Sequence, residues 1–256
     1  MLIQQRKELK NKLIRISKII SHAGVCSRKD AEELIATGKV KINNKIFKDF
    51  FILNSQIESI KVKNKLISKR TTRVWIFNKP IGFVSSNKEQ LKQKSLFRLI
   101  PNNLPRVVSV GRLDINSDGL MILTNNPAFS NYLENPENKI IRKYLVKVFG
   151  QIPDNIEEIN RNKLLINGII YSGVKIKVLT KKKNNNILEI LLKEGKNREI
   201  RNILNHFCLK VKKLTRVSFG PFKLGDVEAG KIVEISQDEL KFFFTSLNFN
   251  DENNLW

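Results

Sequence analysis

Cysteine is scarce: Cys26 and Cys208 are the only two in 256 residues, too few and too far apart to frame a disulfide scaffold, and a chain this long does not need one. Together with the two histidines, His22 and His206, they make no pair of compact clusters with the ligand spacing of a structural zinc site, so no metal is expected. Long apolar runs are missing too. None approaches the roughly 18–20 residues that span a bilayer, and no membrane partner is expected. The opening MLIQQRKELKNK is basic and has no apolar stretch of the kind a secretory leader carries, which predicts a cytoplasmic location. No glycine-rich P-loop or dinucleotide fingerprint occurs, so no nucleotide cofactor is expected. Acidic residues are the largest deficit: 24 Asp and Glu stand against 47 Lys and Arg, leaving a net charge of +23.

That excess persists along nearly the whole chain and implies a polyanionic partner. With membrane phosphates set aside, nucleic acid is favoured. The length allows one large core and a smaller companion domain. A basic stretch at 61–73, without strong periodicity, separates two differently patterned regions and reads as a linker. The expected division is a small unit over 14–60, the linker over 61–73 and a main domain over 74–246.

In the small unit, Ile16, Ile19, Ile20 and Ala23 form a helical stripe that stops at Gly24. Ser27 with Asp30 makes a capping box for a second helix, whose inward face is Ala31, Leu34 and Ile35. Val40, Ile42 and Ile46 then flank Asn43-Asn44, residues that tolerate the positive φ of a tight hairpin. Arg15, Lys18, Arg28, Lys29, Lys39, Lys41 and Lys45 cluster around this helix, helix, hairpin unit. Ordinary soluble surfaces interleave both signs, so these cations are candidate RNA contacts. SRKDAEELI at 27–35 followed by GKVKIN at 38–43 resembles the S4 RNA-binding domain, with Asn44 where a glycine is expected. The resemblance implies that the module grips structured RNA through its phosphates, which gives placement more than sequence reading.

The main domain opens with VWIFNKP, a strand closed by Pro80. Further on, the apolar runs VVSV and LMIL bracket a polar loop carrying Arg112, Asp114, Asn116, Ser117 and Asp118. A rigid scaffold is presenting a carboxylate. A lone loop aspartate more often caps a turn, but GRLDINSDGLMILTN at 111–125 closely resembles the catalytic motif of RNA pseudouridine synthases, in the branch that carries an N-terminal S4 domain and acts on ribosomal RNA. That resemblance implies that Asp114 is the essential aspartate.

Two further stretches match the family. IRKYLVKVFG at 141–150 reads as a strand with Tyr144, Val146 and Val148 on one face, and the resemblance makes Tyr144 the active-site tyrosine. KEGKNREIRNIL at 193–204 turns at a glycine and becomes a helix with Ile200, Ile203, Leu204 and Phe207 inward and Arg198, Arg201 and Asn205 on the opposite face. By resemblance Arg201 is the arginine that contacts the aspartate. Members usually carry Gln-Ile-Arg where this chain has Glu199-Ile200-Arg201. Arg112, Lys196 and Arg198 complete the candidate RNA contacts.

Pseudouridylation breaks the N1–C1′ bond of uridine, turns the freed uracil and rejoins it through C5. Asp114 would either attack the nucleotide or remove a sugar proton. A guanidinium suits the partner role because it stays protonated and can bond both carboxylate oxygens. The target must be unpaired or flipped, and Tyr144 offers a stacking face. The reaction is redox-neutral, so no cofactor is required.

Runs at 169–179 and 187–192 flank a charged hairpin tip at 181–186; strands at 211–219 and 231–235 precede a last helix, capped by Ser236 with Glu239 and bearing Leu240, Phe242 and Phe243, and DENNLW reads as a frayed end. The pattern is α+β. Over residues 14–240 the resemblance implies an S4-type αα-hairpin domain and a catalytic domain built on a bent, mostly antiparallel mixed sheet flanked by helices. WIFNKPIGFVSS and GRLDINSDGL look more like the enzymes of the large-subunit (23S) RNA than the small-subunit (16S) ones. The expected partner is ribosomal RNA or a pre-ribosomal particle, met by a monomer. The alternative is a non-catalytic RNA-binding or ribosome-assembly factor on the same scaffold.

Overall fold

The computed structural model describes residues 13–86, 93–160, 163–182 and 185–251. At the N-terminal end, helices α1 (Ile16–His22) and α2 (Arg28–Ala36) pack together over a four-stranded antiparallel sheet. The α2 capping box forms as expected: Ser27 Oγ accepts from the Asp30 amide, and Asp30 accepts from the Ser27 amide. Strand β1 (Leu13–Arg15) pairs with β4 (Phe51–Leu53) alongside.

The sheet has the order β3-β2-β5-β6, from β2 (Val40–Ile42), β3 (Lys45–Ile46), β5 (Ile60–Val62) and β6 (Lys65–Leu66). Residues 61–66, expected as linker, are therefore mostly strand. The reason is a repeated hairpin: VKINNKIF at 40–47 is echoed by IKVKNKLI at 60–67. Lys63 and Asn64 take the same left-handed pair of conformations as Asn43 and Asn44. The two hairpins pair through β2 and β5, burying Val40, Ile42, Ile60 and Val62 against the helices.

The larger part is a nine-stranded mixed sheet with the path β15-β16-β12-β17-β11-β7-β19. Its strands are β7 (Val74–Lys79), β11 (Asp118–Thr124), β12 (Arg142–Phe149), β15 (Lys175–Thr180), β16 (Asn186–Leu192), β17 (Lys210–Phe219) and β19 (Ile232–Glu234). Short strands β10 (Val108–Ser109) and β18 (Phe222–Lys223) flank β11 and β17. Outside it, β8 (Phe83–Val84) pairs with β9 (Lys94–Ser95), and β13 (Leu164–Ile166) with β14 (Ile169–Tyr171).

Alternation sends side chains to two cores. Trp75, Phe77, Met121 and Leu123 face one, with helix α4 (Glu199–His206); Val74, Ile76, Leu120 and Ile122 face the other, with α3 (Pro127–Glu134) and α5 (Gln237–Ser246). The sheet is antiparallel except at one place. β11 and β17 run parallel only over Asp118–Gly119 against Thr215–Arg216, and this short seam joins the two halves of the sheet. Gly119 sits there with φ +98°, where a Cβ would lie 2.3 Å from the Arg216 carbonyl oxygen. No side chain fits.

Three local expectations change. The run at 169–179 is broken at 172–174, because Glu194 accepts from both the amide and the hydroxyl of Ser172 and Gly173 turns left-handed, so β14 leaves the main sheet for its own hairpin. In the expected frayed end, Asp251 instead accepts from Thr72 Oγ1 and Asn126 Nδ2; residues 252–256 lie outside the described residues, as does the 183–184 part of the charged hairpin tip. Ser236 does cap α5, accepting from the Glu239 amide, but Phe242 on that helix is exposed while Phe243 packs inward.

Candidate active site

A cavity of about 620 Å³ lies where the two halves of the sheet meet, lined among others by Asp114, Tyr144, Leu214 and Arg216. Asp114, Tyr144 and Arg201 reach it from three elements: the loop before β11, strand β12 and helix α4. The sequence expected these three to meet, and they line one cavity.

The loop of Asp114 is held from below by a lysine that sequence reading passed over. Lys79 ends β7 fully buried. Its ammonium donates to three carbonyl oxygens, those of Pro80 (3.1 Å), Asp114 (3.2 Å) and Ser117 (2.8 Å). Burial pushes it down to about 8, against the pull of Asp118 and Asp114. The signal for it was its register: in VWIFNK, strand alternation puts Lys79 on the same inward face as Trp75 and Phe77. Ser85 adds a clasp, donating to the Leu113 carbonyl and accepting from the Leu113 amide. The Ser117 amide closes the turn onto the Asp114 carbonyl. The backbone of Asp114 is thus fixed while its carboxylate, a third exposed, faces the cavity.

Arg201 Nε is buried without a hydrogen bond and lies 3.7 Å from Asp114 Oδ2. The bidentate pairing expected from its chemistry is absent, because its Nη2 is engaged with the Asn116 carbonyl at 2.7 Å and Ser117 Oγ at 3.3 Å. Arg201 therefore grips the loop as well as facing its carboxylate. Arg198, expected to bind RNA, instead places Nη1 3.8 Å from the same Oδ2. It caps α4 in a left-handed conformation, φ 51°, which costs about 1–2 kcal/mol for a residue with a Cβ. Strain of that kind persists where surrounding bonds impose it.

Those bonds come from Glu199, which is 3 % exposed and lines the cavity. Its Oε2 accepts from the Lys196 amide at 2.9 Å and Oε1 has no partner. Burial raises its carboxyl to about 7; Glu194 adds to the rise, while the Lys196 amide, the Lys196 ammonium and Arg142 oppose it. The folded chain thus holds this proton more tightly than the unfolded chain, whose glutamate titrates near 4.5. Stability from this source is present below about 4.5 and is lost as pH rises through about 7. Glu199→Gln keeps an acceptor for the Lys196 amide and cannot ionise. Its melting temperature should match wild type near pH 5 and exceed it at pH 8, by the equivalent of roughly 2–3 kcal/mol. Thermal melts across that range check this, and a pH-independent difference would show that Glu199 does not titrate there.

Two more arginines escaped notice. Arg142 and Arg216 are buried in the cavity wall, on either strand of the β12–β17 pair, with their guanidinium carbons 4.6 Å and 5.3 Å from the centre of the Phe219 ring. Arg216 Nε donates to the Leu120 carbonyl across the seam. The alternation that placed Tyr144 inward also places Arg142, two residues earlier. Asp118, four residues from Asp114, serves the sheet rather than the cavity. It accepts from Thr215 Oγ1 and pairs with Lys213, tying β11 to β17.

The remaining expected RNA contacts divide by position. Arg28, Lys29 and Lys39 are exposed on the N-terminal unit, Lys18 is exposed on α1, and Lys41 is half-buried on β2. Arg15 pairs with Glu32 at 2.9 Å. Arg112 is exposed at the cavity rim. Lys196 lines the cavity, yet its ammonium is engaged with Glu194 and the Ile170 carbonyl. These cationic positions therefore do not form one equivalent set.

A sequence profile described as RNA pseudouridylate synthase matches residues 73–206, and one described as S4 domain matches residues 14–49. An uncharacterized RNA pseudouridine synthase of Rickettsia typhi is 43% identical over 230 residues, covering 90% of this chain and 94% of its own. The ribosomal large subunit pseudouridine synthase B of Bacillus subtilis is 31% identical, covering 89% of this chain and 94% of its own. A crystal structure of a pseudouridylate synthase, 23% identical, superposes with a TM-score of 0.65 over 90% of this chain and 99% of that one, which speaks for the fold. With an S4 domain at its N-terminus and the profile spanning β7 to α4, the chain belongs to the RNA pseudouridylate synthase family.

Proposed function

We propose that this protein converts a uridine of large-subunit (23S) ribosomal RNA into pseudouridine, with Asp114 acting on the nucleotide. The observation that carries the reading is the convergence of Asp114, Tyr144 and Arg201 on one cavity, at the seam where the sheet is thinnest in pairing. The relatives named for the large ribosomal subunit, 31% and 37% identical, support the choice of RNA. The partner is then ribosomal RNA or a pre-ribosomal particle, reached in the cytoplasm.

The chemistry asks for three things. The C1′–N1 bond of uridine must break, the uracil must turn without leaving, and C1′ must rejoin at C5, with the C5 proton lost and a proton gained at N1. Asp114 supplies the oxygen that attacks the nucleotide or takes a sugar proton; in either route it must be ionised, and the guanidinium groups of Arg201 and Arg198 supply the countercharge. Tyr144, 7 % exposed in the cavity wall, presents a ring against which uracil stacks while it turns, with a phenol within the same space for the C5 proton. The uridine enters flipped out of any helix. Cations on the S4 unit hold neighbouring phosphates, which places the RNA without reading its bases.

The test is a pseudouridine map of ribosomal RNA from cells with and without the gene. One uridine of the large-subunit RNA should lose its modification and regain it on complementation. An unchanged map removes the catalytic reading and leaves an RNA-binding factor on this scaffold.

A further inference from the structure

A second cavity, about 310 Å³, lies between the β13–β14 hairpin and α4. Ile166 and Tyr171 are its buried apolar members, and Asn167, Asn202, Asn205 and His206 supply its polar groups. Among the described residues no carboxylate, ammonium or guanidinium lines it, although the chain carries 47 Lys and Arg. Among the described residues the side chains of Asn167, Asn205 and His206 make no hydrogen bond. Asn202 spends its Nδ2 on Tyr171 Oη and the Asn197 carbonyl and keeps its amide oxygen unbonded. Such a space does not suit a phosphate, which wants positive charge, and its solvent-accessible amides and imidazole offer a ligand polar partners that a purely apolar one would not use. It suits a flat, uncharged ring with donors and acceptors along its edge, that is, a nucleobase.

Its position adds a reason. Asn202 follows Arg201 directly, and Asn205 lies one helical turn beyond it on α4. Lys196, in the wall of the first cavity, donates to the Ile170 carbonyl of the hairpin and lies 5.7 Å from the centre of the Tyr171 ring. The 196–202 segment thus belongs to both cavities. We propose that the second cavity receives an unpaired base neighbouring the target uridine, making it a subsite that selects which uridine reaches Asp114. This rests on the protein acting on RNA as proposed above.

Two measurements test it. First, the isotopically labelled protein is titrated separately with the four nucleoside 5′-monophosphates while the side-chain amide signals of Asn167, Asn202 and Asn205 are followed by NMR, with Tyr144 as reporter of the first cavity. Saturable shifts of those amides with at least one nucleotide are expected. Silence of all three with all four nucleotides overturns the subsite, and does so whether or not the protein modifies RNA. Second, the Asn205→Ala/His206→Ala protein, altered only at exposed positions, is assayed on unmodified large-subunit RNA transcript. Its kcat/KM should fall about tenfold through KM, with kcat kept. An abasic nucleotide beside the target should cost the wild type a similar factor and cost the double variant nothing more. Equal, additive losses in both proteins overturn the proposal. A wild type that makes no pseudouridine either in the transcript or in pre-ribosomal particles from cells lacking the gene removes the proposed function, and the amide titration still decides the subsite.

Discussion

Asp114→Asn is expected to lose at least about 10³-fold in pseudouridine formation while binding the same RNA within a few-fold of wild type. The amide keeps the size of the carboxylate and the loop that carries it. Lys79 bonds the Asp114 carbonyl rather than its side chain, and Arg201 bonds Asn116 and Ser117, so the backbone at residue 114 keeps its supports. What is lost is the negative charge held beside both Arg198 and Arg201, and with it the oxygen proposed to attack the nucleotide or take a sugar proton. A neutral side chain there does nothing to repel phosphate, so affinity should not drop. Asp118→Asn is the control. It removes the ion pair with Lys213 and leaves a neutral acceptor for Thr215, and should lower the melting temperature more than it lowers turnover. Single-turnover assays with measured RNA affinity check both. A variant Asp114→Asn within tenfold of wild type in turnover would show that the carboxylate is not the reacting group, and that the cavity serves only to hold RNA.

The contrast between these two aspartates marks what could be read from sequence and what could not. The motif at 111–125 pointed to Asp114, and two further motifs supplied Tyr144 and Arg201 although 30 and 87 residues of chain separate them from it. Local signals also sufficed for the capping box at Ser27, the turn at Asn43-Asn44 and the inward face of α4, because each is decided within a few residues. Pairing between distant segments was not legible. Residues 61–66 looked like linker since a short strand of alternating Lys and Val has no meaning until β2 is beside it. The parallel seam at Gly119 depends on a carbonyl from residue 216. The same limit hid the machinery around Asp114. Lys79, Arg142 and Arg216 are charged residues at buried strand positions, and alternation alone could have flagged them, but their partners lie up to 96 residues away. Charge sign alone also said nothing of what Arg198 and Lys196 meet within the chain: one lies beside Asp114, and the other is engaged with Glu194 and the hairpin.

Where those buried cations sit explains how the site tolerates being built at a seam. A sheet joined over so few residues is a weak platform for a reaction that needs its groups fixed. Arg216 crosses the seam to the Leu120 carbonyl, and Asp118 crosses it to Thr215 and Lys213. Arg201 reaches from α4 to the loop, and the Glu199 carboxyl fixes the turn before that helix. The two arginines donate to backbone carbonyls and the two carboxylates accept from a hydroxyl, an ammonium and an amide, so charged side chains supplement the short ladder of the seam.

Lys79 is the strongest of these braces, and Lys79→Met should be the most damaging change outside the reacting groups. Methionine fills most of the volume and removes the ammonium, leaving the carbonyls of Pro80, Asp114 and Ser117 without their donor. Each buried acceptor left unpaired costs about 1–3 kcal/mol. Part of that is offset, because burying the ammonium was itself unfavourable, as its downward push to about 8 records. A net loss of about 3 kcal/mol in denaturant unfolding is expected. Activity should fall further than stability explains. The loop from Asp114 to Ser117 would keep Arg201, the Gly82 amide on the Ile115 carbonyl and the neighbouring Ser85 clasp on Leu113, and a displacement of about 1 Å at a reacting group can cost about 100-fold. Turnover measured well below the variant's own melting temperature separates the two effects. If Lys79→Met proves as active there as wild type, the lysine is a packing element and the loop's remaining bonds position it. If it is inactive yet fully folded, the three carbonyl bonds set the direction of the Asp114 carboxylate, and the reach of this site depends on a cation that never touches the substrate.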